Sequence, residues 1–213
     1  VNCVAVVTAK RFGQAKQRLA GSIEEALRLD LVAAMLADVL AAVSESRMVS
    51  ATIVVTGEPA AAAIAASAGA EVVEDPEDAS HSDAASLGVT RAIGNGADCV
   101  VLLPGDCPLL DPRELDHLLT GLPDPFVSIV PDRHGTGTNA LVLVPPAVIR
   151  PAFGEGSCER HRLIARDAGV PHSVEEVETL GLDLDTPADI VALTTRLDLK
   201  GGRAANTARV LGI

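Results

Sequence analysis

The sequence predicts an α/β protein: a doubly wound, mostly parallel sheet with helices on both faces, in three αβα layers. Three observations predict it. Short β-branched runs recur through the first hundred residues, as "CVAVVTA" (3–9), "SATIVVTG" (50–57), "GAEVVED" (69–75) and "DCVVLLPGD" (98–106). Their apolar residues are continuous rather than alternating, which marks strands buried on both faces and hence a parallel sheet. Helical segments separate them, and alternation of strand and helix is the pattern of wound α/β folds.

In chain order, the first strand runs into a basic loop, "TAKRFGQAKQRLAG" (8–21). From Ile23 to Val43 the residues Leu27, Leu31, Met35, Val39 and Val43 recur every four positions and give an amphipathic helix. Ala-rich segments at 59–68 and 83–93 give two more. After residue 120, "PFVSIVPD" and "NALVLVPP" read as strands around a loop rich in Gly and Thr, and a helical run follows Ser157. Thr186-Pro187 opens a last helix with Asp189 in its first turn. The tail 200–213, "KGGRAANTARVLGI", reads as weakly defined, with a Gly-Gly break and then one short helix. No linker, repeat or low-complexity segment interrupts 1–213, so a single domain around one sizeable core is expected.

Composition removes several classes of function. A formal net charge of −12 and the absence of Trp and Tyr argue against a nucleic-acid partner, which would need a basic surface and stacking platforms. No stretch approaches the roughly 18 apolar residues of a membrane span. The opening "VNCVAVV" has neither the basic flank nor the cleavage site of a signal peptide, so a cytoplasmic protein is expected. Cys3, Cys99, Cys107 and Cys158 form no C-x-x-C pair, and reduced, buried thiols are expected rather than zinc ligands or disulfides.

Ligands of wound sheets bind beyond the carboxyl ends of the strands. That rule puts Asp106, in "LLPGDCPLLDP" (102–112), in one crevice with the loop after the first strand. Lys10, Arg11, Lys16 and Arg18 concentrate positive charge in that loop, which suits a polyphosphate; a solvated basic face is the bland alternative. Neither a Walker lysine pattern nor G-x-G-x-x-G is present. In "LGLDLDTPADI" (180–190), Asp183 and Asp185 alternate on an extended segment and share a face. Converging with Asp106, they would repel unless a divalent cation lay between them, and oxygen-only ligands select Mg²⁺. The alternative for Asp185 is a cap on the last helix. "PDRHGTGTNAL" (131–141) and "AFGEGSCERH" (152–161) supply small donors suited to phosphate or carboxylate: Gly135, Thr136, Gly137 and Thr138 in the first, Gly154, Gly156 and Ser157 in the second. His161 reads as a structural histidine of the helix.

The ordered set "AKRFGQAKQRL", "LLPGDCPLL", "PDRHGTGTNAL", "FGEGSCERH" and "LDLDTPADI" resembles the 2-phospho-L-lactate guanylyltransferase family, with its phosphoenolpyruvate guanylyltransferase members, of coenzyme F420 biosynthesis. The resemblance spans nearly the whole chain. It implies a nucleotide-diphospho-sugar transferase (nucleotidyltransferase) fold using GTP and Mg²⁺. It further implies that Asp106, Asp183 and Asp185 bind metal, that Thr138, Gly154 and Ser157 hold the acceptor carboxylate, and that Lys10, Arg11 and Lys16 hold the phosphates. Family members carry a Leu-Asn pair facing the nucleotide near the start of the third helix; here the segment is "SHSDAASLGVTRA" (80–92), and Ser86 stands where the Asn is expected.

The implied reaction is attack by a phosphate oxygen of a three-carbon phospho-acid on the α-phosphorus of GTP, with Asp106 and Lys16 as the catalytic pair. Phosphoenolpyruvate, 2-phospholactate and 3-phosphoglycerate all remain open as acceptor, as does assembly into a homodimer. A glycosyltransferase of similar fold is the enzymatic rival, though it usually carries D-x-D where this chain has Asp106 alone. A non-catalytic nucleotide-binding module is the rival from another class.

Overall fold

The structure, a computed structural model, describes residues 2–78, 80–200 and 203–213, the side chains of 198–200 excepted. Its centre is β1 (Cys3–Ala9), which pairs in parallel with β2 (Val49–Thr56) on one side and β4 (Cys99–Pro104) on the other. β3 (Glu71–Glu74) adds to β2 in parallel. Every residue of β6 (Thr138–Val144) is buried, so it belongs inside the sheet rather than at an edge. It sits antiparallel between β4 and β5 (Phe126–Pro131), with β7 (His172–Val174) beyond β5, giving the order β3-β2-β1-β4-β6-β5-β7. The sheet is therefore mostly parallel, with β6 reversed.

That reversal has a functional consequence. The chain leaves on β5 and returns directly on β6, so the first residues of β6, Thr138 and Asn139, stand at the same end of the sheet as the carboxyl end of β4. Thr8 of β1 pairs with Pro104 of β4, so the basic loop and Asp106 also leave the sheet at one level.

Helices cover both faces, as side-chain alternation along the strands requires. Ala5 and Val7 face Leu36, Val39 and Leu40 of α1 (Glu25–Glu45), Ala61 and Ala65 of α2 (Pro59–Ser67), and Leu115 of α4 (Pro112–Leu118). Val4 and Val6 face Ala84, Ala85 and Val89 of α3 (His81–Gly94), and the same layer holds Cys158 and Ala165 of α5 (Ser157–Asp167). α3 lies very close to the sheet at Gly88: a Cβ there would fall 2.2 Å from Val6 Cγ1. The four cysteines are free and buried.

A third cluster joins Leu19, Leu31, Met35, Leu182, Leu184 and Leu193, the last from α6 (Pro187–Lys200). It fastens the 182–185 segment to α1. The Gly-Gly break expected at 201–202 lies outside the described residues. The short helix expected in the tail is α7 (Ala205–Leu211), and it is firmly docked: buried Asp38 of α1 accepts hydrogen bonds from the backbone N–H of Asn206 at 3.1 Å and of Thr207 at 2.8 Å. Among the described residues no helix is long and apolar enough to cross a membrane.

α4 and β7 are absent from the sequence reading. The Asp111-Pro112 start of α4 is a local signal, since Asp111 accepts from Arg113 N–H as an N-cap and Pro112 takes the first helical position. β7 has three residues and no such signal.

Candidate active site

The chain passes β4 at Pro104 and turns, and the Asp106 carbonyl accepts a hydrogen bond from the Leu184 N–H at 3.2 Å. This one bond brings the 182–185 segment to the end of β4. Leu182 and Leu184 point into the third cluster, so Asp183 and Asp185 point the other way. The Lys16 ammonium ion-pairs with Asp106 Oδ2 and with Asp185 Oδ1, the latter at 2.5 Å, although its side chain is only 6% exposed. Burial works against that charge, but the two carboxylates outweigh it and hold Lys16 above the usual lysine range. Burial, then the charges of Asp106 and Asp185, push the Asp183 carboxyl upward, while a hydrogen bond from Asn139 Nδ2 at 3.3 Å opposes them.

Lys16 is delivered by a loop with its own scaffold. Its backbone is left-handed, at φ 55°. Beneath the loop, buried Arg28 of α1 donates from its guanidinium to the carbonyls of Phe12 (3.1 Å), Gly13 (3.4 Å) and Ala15. Arg28 escaped the sequence reading because its role depends on α1 lying under the loop.

Asp185 is free for this site because Asp189 performs the capping: its Oδ2 accepts from the N–H of Asp185 (3.0 Å) and of Thr186 (2.6 Å) and from the Thr186 hydroxyl (2.8 Å). Asp189 sits in the first turn of α6, as its position predicts, and also pairs with Arg133 at 2.6 Å. No cluster of three or more His, Cys, Asp or Glu side chains is drawn together as a ready cation site among the described residues. The donor set nevertheless suits a hard cation, because it is all oxygen and Asp106 Oδ1 is buried without a hydrogen-bond partner.

Lys16, Asp106 and Asp185 open into a cavity of about 360 Å³ whose lining also includes Thr8, Lys10 and His81, while Asp183 lies outside that lining. A larger cavity of about 670 Å³, near Arg113, His117 and Phe126, holds none of the site residues the sequence singles out. Arg11 does not line the site cavity; its guanidinium donates to the Pro76 carbonyl at 3.4 Å. Ser86 is not brought to Lys16 either. Its hydroxyl bonds back to the Ser82 carbonyl at 2.7 Å, and it lines a neighbouring cleft with Asp83 that shares Asp75 with the cavity.

The Gly- and Thr-rich loop is organised differently from its sequence expectation. The Asp132 carboxylate accepts from the N–H of His134 (3.1 Å), Thr136 (3.0 Å) and Gly137 (2.9 Å). Donors at Thr136 and Gly137, expected to serve a ligand, are thus occupied by the chain's own carboxylate. Thr138 remains: its Oγ1 lies 3.0 Å from His161 Nδ1. Ser157 and His161 are one turn apart on α5, so Ser157 and Thr138 come to a common region. The Ser157 hydroxyl makes no hydrogen bond among the described residues. Gly154, at φ +112°, adopts a conformation that disfavours any side chain in the loop leading into α5.

Aromatic rings connect the two halves of the site. Phe153 stacks on His81 with centroids 4.3 Å apart and meets His161 edge-on at 5.2 Å. His81 in turn places Nε2 at 2.8 Å from Thr8 Oγ1, and burial lowers its pKa despite the opposing charge of Asp106.

A mostly parallel sheet with one reversed strand carries, at its ligand end, two carboxylates bridged by the Lys16 ammonium. Solved structures share the fold: a protein from Desulfovibrio desulfuricans described as a nucleotide-diphospho-sugar transferase superposes with a TM-score of 0.77 at 16% identity, covering 99% of this chain and 94% of that one. A nucleotidyl transferase from Methanothermobacter gives 0.66 at 20% identity, covering 92% and 97%. The chain belongs to the family described as guanylyl transferase CofC like, whose model matches residues 3–213. Among its relatives, the phosphoenolpyruvate guanylyltransferase of Conexibacter woesei is 41% identical over 97% of this chain and 94% of its own length. That of Sphaerobacter thermophilus is 38% identical over 89% and 91%.

Proposed function

We propose that this guanylyltransferase moves GMP from GTP to the phosphate of a three-carbon phospho-acid, phosphoenolpyruvate before 2-phospho-L-lactate or 3-phosphoglycerate, in cytoplasmic F420 biosynthesis. The observation that carries the reading is Lys16 bound to Asp106 and Asp185 at the end of β4. A separate set of small donors, Thr138 and Ser157, supports a second subsite: Thr138 meets His161, whose ring is linked through Phe153 to His81 in the lining of the Lys16 cavity. The names of the Conexibacter and Sphaerobacter relatives favour phosphoenolpyruvate.

Asp106, Asp183 and Asp185 are the residues that would hold Mg²⁺. Such an ion supplies neutralisation of the triphosphate charge when bound. Lys16 is the protein's own cation for the phosphates, with Lys10 at the cavity mouth and Arg11 shaping the loop through Pro76. Ser86, which lines the neighbouring cleft, is the residue assigned to the nucleotide's base. Thr138 and Ser157 hydroxyls and the Gly154 N–H hold the acceptor carboxylate, which orients the acceptor phosphate. A phosphate oxygen then forms a bond to the α-phosphorus while the bond to the β-phosphate oxygen breaks and pyrophosphate leaves. The nucleophile is already anionic at neutral pH, so no general base is required; positioning and charge neutralisation perform the catalysis.

Pyrophosphate release, measured with each acceptor against each nucleoside triphosphate, tests this. GTP with phosphoenolpyruvate is expected to be fastest. Release with 2-phospho-L-lactate alone would reassign the acceptor, and absence of release with every pair would overturn GMP transfer.

A further inference from the structure

His161 is fully buried and its two ring nitrogens have different partners. Nε2 lies 2.9 Å from the backbone N of Ala152, and a backbone N–H can only donate, so Nε2 is the unprotonated, accepting nitrogen. A neutral ring must then carry its proton on Nδ1, which lies 3.0 Å from Thr138 Oγ1. The ring therefore donates to Thr138. A hydroxyl that accepts from the ring must direct its own proton elsewhere, and Thr138 has no other hydrogen-bond partner for its side chain among the described residues.

We propose that His161 is a positioning residue of the acceptor site: held in its Nδ1–H form by Ala152, it orients the Thr138 hydroxyl as a donor toward the acceptor carboxylate. The inference rests on the assignment of Thr138 to the acceptor. The neighbourhood supports a fixed ring. Phe153 packs edge-on against it at 5.2 Å, and Arg160 donates to the carbonyls of Ala152 (2.9 Å) and Glu155 (2.6 Å), anchoring the loop that supplies the Ala152 N–H. Burial, assisted by Arg160 and His81, lowers the His161 pKa to about 4, so the ring is neutral at physiological pH. Without this clamp the Thr138 hydroxyl is free to turn its proton toward the ring and present a lone pair to an anion.

The test has a spectroscopic arm and a kinetic arm. Long-range ¹H–¹⁵N spectra of the wild-type protein, with its five histidines assigned, should show His161 protonated at Nδ1 at neutral pH. An Nε2–H ring overturns the proposal without any variant having to fold. In the kinetic arm, His161→Gln keeps an acceptor near Nε2 and loses the donor to Thr138, whereas His161→Asn keeps a donor near Nδ1. The Gln variant should raise the phosphoenolpyruvate KM tenfold or more with GTP KM unchanged, and Asn should recover most of the loss. Thr138→Val added to the Gln variant should cost little more, because both remove one interaction. Equal impairment by Gln and Asn, or equal shifts in both KM values, overturns the positioning role. If Thr138→Val alone leaves the phosphoenolpyruvate KM unchanged while the ring is protonated at Nδ1, the acceptor assignment has failed and the proposal falls with it.

Discussion

Asp106 and Lys16 hold one another in place, and their substitution should have distinguishable effects. Asp106→Asn removes a carboxylate but leaves Asp185 within 2.5 Å of the ammonium, so the fold should survive. Turnover should fall on the order of 10²- to 10³-fold, the scale for one electrostatic element of a transition state. Steady-state pyrophosphate release beside a circular dichroism spectrum checks both statements, and wild-type turnover would remove Asp106 from the chemistry. His161 supplies a pH prediction at the same scale. Its pKa is lowered in the fold to about 4, so between there and the unfolded value near 6.5 the unfolded state binds more protons. Its contribution, about 3 kcal/mol, is complete above the unfolded pKa and is lost as pH falls toward 4. Urea midpoints across that window should drop with acid in the wild type and slope less in His161→Asn.

At the scale of elements, α3 carries the nearest approach between a helix and the sheet. A methyl at Gly88 would fall 2.2 Å from Val6 Cγ1 and 3.0 Å from Val55 Cγ2, both on strands with little room to yield. Gly88→Ala should therefore destabilise by roughly 1–3 kcal/mol despite the better helix propensity of Ala, the usual range for an overpacked core. Because α3 also presents His81 to the cavity, GTP affinity should weaken alongside the urea midpoint. A variant as stable as wild type would mean that the helix shifts freely. Helices and strands of this kind were readable in advance where periodicity or β-branching ran long, as in α1, whose Leu31, Met35, Val39 and Val43 are all buried. The three-residue β7 and the seven-residue α4 are too short for periodicity to reveal.

At the scale of the whole molecule, ligand binding should be visible as stabilisation. A ligand at a hundred times its Kd adds about 2.7 kcal/mol. GTP with Mg²⁺ should thus raise the wild-type melting temperature by roughly 5–10 °C for a chain of this size. Lys16→Ala should lose most of that shift, since a hydrogen bond to a charged group is worth about 1.5–3 kcal/mol, while phosphoenolpyruvate affinity should change far less. An undiminished GTP shift in thermal melts would make Lys16 a purely structural cation.

Much of this molecule was determined locally. The continuous apolar runs, the alternation in "LDLD" and the lone carboxylate at a strand end are short-range patterns, and each expresses a constraint acting within a few residues: burial on both faces, a two-residue side-chain period, a charge leaving the core. They were enough for the wound α/β fold and for singling out Asp106, Asp183 and Asp185 as chemistry-bearing residues. Tertiary structure decided which donors remain for a ligand. Asp132 consumes the Thr136 and Gly137 N–H groups, Asp189 takes the cap that Asp185 could have made, and Arg28 reaches from α1 to hold the loop of Lys16. Whether a polar group is spent or available depends on which partner the fold brings within about 3 Å, and the 16 residues from Arg28 to Phe12 or the 169 from Lys16 to Asp185 close that distance only when the sheet is assembled.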